Sequence, residues 1–398
     1  DWPWLDRVAI LTVVSIQPDS GDFRPGYVGT GVASNYNTSD IDWDAVHSDL
    51  AAVASTPTLA TVAGYFARPW LELNLNWTGN RMNPADNMPR YGRDMAHRVN
   101  AAALRLQLSD SQPEKTAAMV NFLQYGIDLY EILQAGGNWY ADGGVNVGRK
   151  LPVLFAGKVL GDAGMLAYAD KAQYFRFQED HQTFYVEQFD IDQTKVVYPG
   201  KTYTVVQYEP VDLSLPEWGI RHSSETHRQY DNRNWVTDYR TVAGAPMPGS
   251  ALVAHMMGLQ DEWGWDSFFD YCDRYYQIES GGHSSGTNSI QDFVYYMWED
   301  YRNVGAPTGS SKVVTPTISP STGSYDSTQS TTITSSNADT IYYTLDGTTP
   351  DTGDTVYSSA FDVEATTTVK AYGVGDGLTD SDVQTSVITI GCAQPAVS

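Results

Sequence analysis

The stretch EWGIRHSSETHRQYDNRNW, residues 217–235, gathers Arg221, Arg228 and Arg233 with His222 and His227 in a chain whose formal net charge is −24. Glu217, Trp218, Tyr230 and Asp231 stand among them, and no helical or strand period sorts these residues into an inside and an outside. A loop lining a site is therefore expected. A zinc cage is the sharper alternative, but His222 and His227 are five residues apart, a spacing that neither a helix face nor a strand brings together, and no third ligand is evident. Ser223 and Ser224 beside His222 invite a catalytic-triad reading, yet the chain shows no Gly-x-Ser-x-Gly elbow.

Three further polar stretches carry groups of the same kind. In NPADNMPRYGRDMAHR, residues 83–98, a helix begun near Pro89 brings Arg90, Asp94 and His97 close to one face, with Tyr91 and Arg98 at a wider offset and Asn87 and Arg93 nearby. These are donors for an anion, set against the blander reading of a solvated helix start. In NWYADGGVNVGRK, residues 138–150, Gly143, Gly144 and Gly148 permit tight turns or close approach to a ligand, and Trp139, Asn146 and Arg149 offer stacking and hydrogen bonds. The stretch lacks the Gly-Lys-Ser/Thr ending of a phosphate loop. SGGHSSGTN, residues 280–288, echoes it with His283, and a plain interhelical turn is the competing reading.

A locally basic, Tyr- and His-rich cleft in an acidic chain suits an anionic sugar polymer, because guanidinium forks pair with carboxylate or sulfate while the remaining surface repels non-specific contacts. β-Elimination at a uronate needs a group that neutralises the carboxylate, a base for the C5 proton and an acid for the departing oxygen. The expected roles are His222 or His97 as base, Tyr91 or Tyr230 as acid, and Arg221 with Asn87 at the carboxylate. Arg90, Arg93, Trp139, Asn146, Arg149, Glu217, Trp218, His227, Arg228 and His283 are expected to contact substrate. A glycoside hydrolase using two carboxylates, Asp142 with Glu217 or Asp180 with Asp231, is the first alternative. A non-catalytic glycan-binding protein is the second.

Composition narrows the field. With 48 acidic against 24 basic residues in 398, no basic face is available for nucleic acid or an anionic membrane. The 11 Trp and 26 Tyr exceed what packing requires, as sugar-stacking platforms would. No apolar run approaches a membrane span, and DWPWLDR at the start lacks a leader's charged and apolar regions, as in a secreted chain whose signal has been removed. No cofactor is expected beyond a candidate structural calcium at the Asp-rich LDGTTPDTGD, which lacks a dedicated site's spacing. Cys272 and Cys392 leave open either one bridge or two thiols, and oligomeric state is not readable.

The elements that must position these groups are mostly helical. Residues 51–165 and 240–305 carry apolar residues at helical spacing, and one helix is delimited by Ser111-Gln-Pro-Glu at its start and Gly136-Gly137 at its end. Residues 1–30 and 172–210, with RVAILTVVSI and KTYTVVQYEPVDL, read as strands or extended loops. After Arg302 the composition turns to Gly, Pro, Ser and Thr. TTITSS, TIYYTL, TTTVKAYGV and QTSVITI follow as short strands, with Asp346-Gly347 and Asp376-Gly377 as hairpin-turn signals.

In its Y-T-x-D-G-T-x-P core and T-T-T-V-K-A strand this last region resembles the chitobiase/β-hexosaminidase C-terminal type of immunoglobulin-like module, which implies an accessory module of secreted carbohydrate enzymes. The helical hairpins and their glycine-punctuated rim resemble, in architecture alone, the (α/α) toroid of polysaccharide lyases and some glycoside hydrolases. The expectation is thus a multidomain chain. A mainly α toroid with some β segments fills residues 1–306, a linker 307–312 and a small all-β sandwich 313–398.

Overall fold

A computed structural model describes residues 11–15, 17–28, 34–73, 80–83, 86–87, 92–141, 143–172, 176–192, 208–219, 239–307, 313, 315–335, 338–375 and 380–391, with residues 73, 80–83, 86–87 and 239 described as backbone. The chain divides into two compact units, Asp1–Pro307 and Thr308–Ser398.

The first unit is helical: α1 (Leu59–Phe66), α2 (Gly92–Arg105), α3 (Gln112–Gln134), α4 (Lys150–Val159), α5 (Ala163–Ala169), α6 (Gln178–Gln182), α7 (Gln188–Asp192), α8 (Tyr239–Gly244), α9 (Met247–Met256), α10 (Gln260–Trp263), α11 (Asp266–Glu279) and α12 (Asp292–Tyr301). Strands β1 (Leu71–Leu73), β2 (Asn80–Asn83) and β3 (Asp86–Asn87) form a small antiparallel sheet, and β4 (Thr183–Tyr185) pairs with β5 (Pro216–Trp218). The start of α3 follows its sequence signal: Glu114 Oε2 accepts from the Ser111 amide at 2.9 Å and its hydroxyl at 2.6 Å. The chain leaves this helix through Gly136, whose φ of +89° a side chain would oppose.

The segments expected to be strands or extended loops divide: β4 is a strand, while α6 and α7, also within 172–210, are short helices. Residues 11–15 belong to no helix or strand, and Pro210–Asp212 is a 3-10 turn. Pro210 has no amide to give to a ladder, and the Asp212 carboxylate accepts instead from the Glu209 amide at 2.7 Å.

Helix α2 packs against α1, α3, α4, α8, α9 and α12. Met95, Ala96, Val99, Ala102, Ala103 and Leu104 are buried on it, and so are the polar Arg93, His97, Asn100 and Arg105. A helix buried nearly all round must satisfy its polar side chains inside the fold. That obligation shapes the site described below.

In the second unit β6 (Thr317–Ser319), β7 (Gly323–Tyr325), β8 (Gln329–Thr334), β9 (Thr340–Thr344), β10 (Thr355–Val356), β11 (Phe361–Val363), β12 (Thr367–Val374) and β13 (Gln384–Ile390) form two sheets, ordered β10-β9-β12-β13-β7 and β11-β8-β6. Their alternation supplies one core: Ile318, Ile333, Val363, Val369, Ala371 and Ile388. β9 and β10 are joined by a loop longer than a two-residue hairpin, so Asp346-Gly347 makes a local turn in which Asp346 Oδ1 accepts from the Thr348 amide at 3.0 Å. Asp376-Gly377 lies outside the described residues. In the proposed calcium loop the Asp351 carboxylate accepts from the Gly353 amide and that of Asp354 from the Asp351 amide, each at 2.7 Å. These carboxylates order the backbone, and among the described residues no acidic, His or Cys group gathers with metal-holding geometry. Cys272 is a free, buried thiol, and Cys392 lies outside the described residues.

Candidate active site

Glycines press one loop against the buried helix. A Cβ on Gly92, at the start of α2, would lie 2.1 Å from the Val145 carbonyl oxygen, and one on Gly148, whose φ is +91°, would lie 2.6 Å from the Ala96 Cα. The Arg93 amide donates to the Gly144 carbonyl at 3.3 Å. Gly92 and Gly148 therefore serve the approach of loop 143–149 to α2. Gly148→Ala is expected to destabilise the chain by at least about 2 kcal/mol in urea denaturation, because both the backbone angle and the contact are refused.

On the helix so positioned, Arg93 and His97 stand one turn apart, 3% and 6% exposed. His97 Nε2 lies 3.2 Å from the Thr287 carbonyl oxygen. A carbonyl can only accept, so Nε2 carries the proton and Nδ1 presents its lone pair. Burial is the main cause that lowers the His97 pKa to about 4; the Arg93 charge adds to it, while the Thr287 hydrogen bond opposes it. Arg93 donates through Nε to Asp94 at 3.1 Å and through Nη1 to Asn288 Oδ1. Among the described residues, Arg93 Nη2 and His97 Nδ1 are buried and find no partner. A neutral imidazole with an unpartnered lone pair thus stands one turn from a guanidinium with an unpartnered N–H.

Thr287 and Asn288 reach α2 from the loop between α11 and α12, the SGGHSSGTN stretch. His283 was expected at the substrate, but the structure gives it another task. Its Nδ1 lies 2.9 Å from Asp292 Oδ1 and its ring stacks on Tyr295 at 3.7 Å, tying the loop to α12. The Ser284 amide donates to the Ile290 carbonyl at 3.1 Å and closes the turn.

The same unit also holds a cluster of buried charge. Glu217 Oε1 accepts from Arg240 at 2.8 Å, Arg274 at 3.2 Å and the Trp218 amide at 3.2 Å, while Oε2 accepts from the Tyr208 hydroxyl at 3.3 Å. Burial opposes the charge on Arg240, but Glu217 and Tyr271 together outweigh it and the guanidinium pKa is raised. Glu217 is fully buried and held by at least these four donors among the described residues, so it braces the fold where a substrate contact was expected. Trp218 is likewise inside, its indole N–H on Gln182 Oε1 at 3.2 Å. Trp139 stacks on Phe177 at 5.7 Å, and Arg149 pairs with Glu72 at 3.0 Å. Asn146 donates to the Tyr140 carbonyl at 2.9 Å. Each of these expected ligand contacts is a packing or loop-bracing residue, because its side chain is drawn inward to satisfy a buried neighbour.

Asp180, nominated for hydrolysis, takes both carboxylate hydrogen bonds from Lys150 at 2.8 Å and one from Trp263 Nε1 at 3.1 Å. Its neighbour Glu179 was not nominated. Glu179 Oε1 accepts from the Gly148 amide at 2.6 Å, and Oε2 is buried without a partner among the described residues. Burial raises its pKa from 4.5 to about 7. A raised folded-state pKa means that the contribution to stability is complete below 4.5 and lost as pH climbs through about 7. Glu179→Gln removes that loss. The variant is expected to exceed the parent by roughly 1–3 kcal/mol at about pH 8 and to converge with it near about pH 5, read by urea denaturation.

Arg90, Tyr91, Arg221, His222, His227, Arg228 and Tyr230 lie outside the described residues, as do Asp142 and Asp231, and Asn87 is described as backbone. Of the residues expected at a site, the structure brings together Arg93 and His97. Thr287, Asn288 and Glu179 were missed, though Thr287 and Asn288 stand in a stretch that the sequence marks as a polar interruption of helical pattern.

Residues 320–385 match the family model of the chitobiase/beta-hexosaminidase C-terminal domain. That β-sandwich module occurs in carbohydrate-active enzymes. No curated protein matches the chain.

Proposed function

We propose that the chain is a secreted polysaccharide lyase acting on a uronate-containing polymer, its helical unit being an (α/α) toroid. The observation that carries this reading is the pair on α2: a neutral, buried His97 with Nδ1 unpartnered, one turn from Arg93 with Nη2 unpartnered, among the described residues. Nδ1 takes the C5 proton, and Arg93 neutralises the adjacent carboxylate as negative charge builds on it. The C5–H and C4–O bonds break, the C4–C5 double bond forms, and a proton is delivered to the departing oxygen. Tyr91, two residues before Arg93 in the chain, is the nominated donor.

Hydrolysis is favoured less, since Glu217 and Asp180, the described half of each nominated carboxylate pair, are already held by buried cations. Elimination leaves an ultraviolet-absorbing unsaturated uronate, whereas hydrolysis leaves a saturated end. Screening alginate, glucuronan, ulvan and pectate is expected to yield that chromophore with at least one polymer. Reducing sugar released without chromophore would transfer the reading to hydrolysis.

A further inference from the structure

A second recess in the helical unit has chemistry unlike that of α2. Gly264, at φ +66°, turns the chain sharply between α10 and α11, and a Cβ there would meet Asp170 Oδ1 at 2.2 Å. The turn leaves a cavity of about 390 Å³ lined by Tyr185, Gln260, Asp261, Trp265, Asp266 and Ser267. That volume lies within the roughly 300–1,000 Å³ of small-molecule sites. Among the described residues no Lys or Arg lines the cavity itself, Lys171 lying against the ring of Trp265, and no residue expected from sequence to touch a uronate is part of it.

The two rings on this wall are fixed. Trp265 Nε1 donates to the Thr183 carbonyl at 2.9 Å, the Lys171 ammonium lies 3.8 Å from the Trp265 ring centroid, and the Tyr185 hydroxyl donates to Asp270 at 2.5 Å. Asp261, Asp266 and Gln260 are exposed on the rim. The independent observation is Ser267, 1% exposed, whose buried hydroxyl has no partner among the described residues. An unsatisfied hydroxyl in a folded interior costs free energy unless a ligand completes it.

We infer that this cavity is a sugar subsite taking a hexose unit of a neutral or amine-bearing glycan. An aromatic wall suits the apolar C–H face of a pyranose. Carboxylates and an amide accept from its hydroxyls, and Ser267 completes one hydrogen bond at the floor. The same carboxylates repel a uronate and attract a protonated amine. The subsite does not depend on the lyase reading.

The test uses the full chain titrated separately with chitosan tetrasaccharide at a pH where its amines are protonated, with cellotetraose and with tetragalacturonate, read by calorimetry and indole fluorescence. Saturable binding is expected for the first two, tightest for the chitosan oligomer, and none for the uronate at the cavity. Ser267→Ala removes an unpaired hydroxyl, so it is expected to keep or raise the thermal midpoint while weakening binding of both ligands about three- to tenfold. Asp261→Asn, at an exposed position, is expected to weaken the chitosan oligomer more than cellotetraose. Absence of saturable binding up to about 10 mM, unchanged affinity in both variants, or indole quenching by tetragalacturonate that either variant abolishes would overturn the proposal.

Discussion

His97→Gln is expected to lower kcat on a susceptible uronate polymer by about 10²–10⁴-fold, the range that a positioned general base supplies. KM should move far less. Glutamine keeps an N–H for the Thr287 carbonyl, so the helix and its loop stay in place, but it offers no basic lone pair where Nδ1 stood. The sign of the pH effect follows from the folded-state pKa of about 4: above it the imidazole is unprotonated and competent, below it activity is lost. The acid limb of kcat/KM, which reports free enzyme, is therefore expected near about 4. The limb of kcat should lie higher, because a bound carboxylate beside His97 favours its charged form.

Glu217→Ala carries the largest expected loss of stability. It leaves Arg240 and Arg274, 3% and 8% exposed, as buried guanidinium groups deprived of their shared carboxylate. Breaking a buried pair in this way costs about 3–5 kcal/mol. The thermal midpoint should fall by roughly 6–20 °C. At temperatures where the variant stays folded, turnover per folded molecule is expected to remain within a few-fold of the parent. A hydrolase that used Glu217 as its acid would show the reverse, a nearly unchanged midpoint with turnover abolished.

The helical body was legible because its signals are local. Ser111-Gln-Pro-Glu, Gly136 and the apolar spacing of α2 and α3 each act within a few residues, and the strands of the second unit declare themselves by alternation. The roles of polar residues were less legible, since they depend on what lies across the fold. Glu217 reads in sequence like any acidic residue in a polar loop; only the arrival of Arg240 and Arg274 from α8 and α11 turns it into a buried brace. Trp139 reads as a stacking platform, and it is one, but for Phe177. Gly144 and Gly148 signalled close approach in the sequence without revealing what approaches, which is Val242 of α8 at Gly144 and Ala96 of α2 at Gly148.

His97 was chosen from sequence by its helical offset from Arg90 and Asp94. The neighbour that matters is Arg93, whose side chain the loop residue Asn288 holds from 195 positions away. A pairing at that separation leaves no periodic trace. Glu179 and Asp180 are adjacent, acidic and equally buried; their partners distinguish them, a backbone amide for Glu179 and Lys150 for Asp180.

The most direct test is nitrogen NMR of the His97 imidazole in the full chain near neutral pH, before and after addition of an uncleaved uronate oligosaccharide to His97 in an Arg93-intact protein. The account predicts a neutral ring with the proton on Nε2 and a bare Nδ1, and a shift of the Nδ1 resonance on titration that is lost in Arg93→Met. A proton on Nδ1 in the free protein, or an Nδ1 resonance indifferent to saturating oligosaccharide, would contradict it.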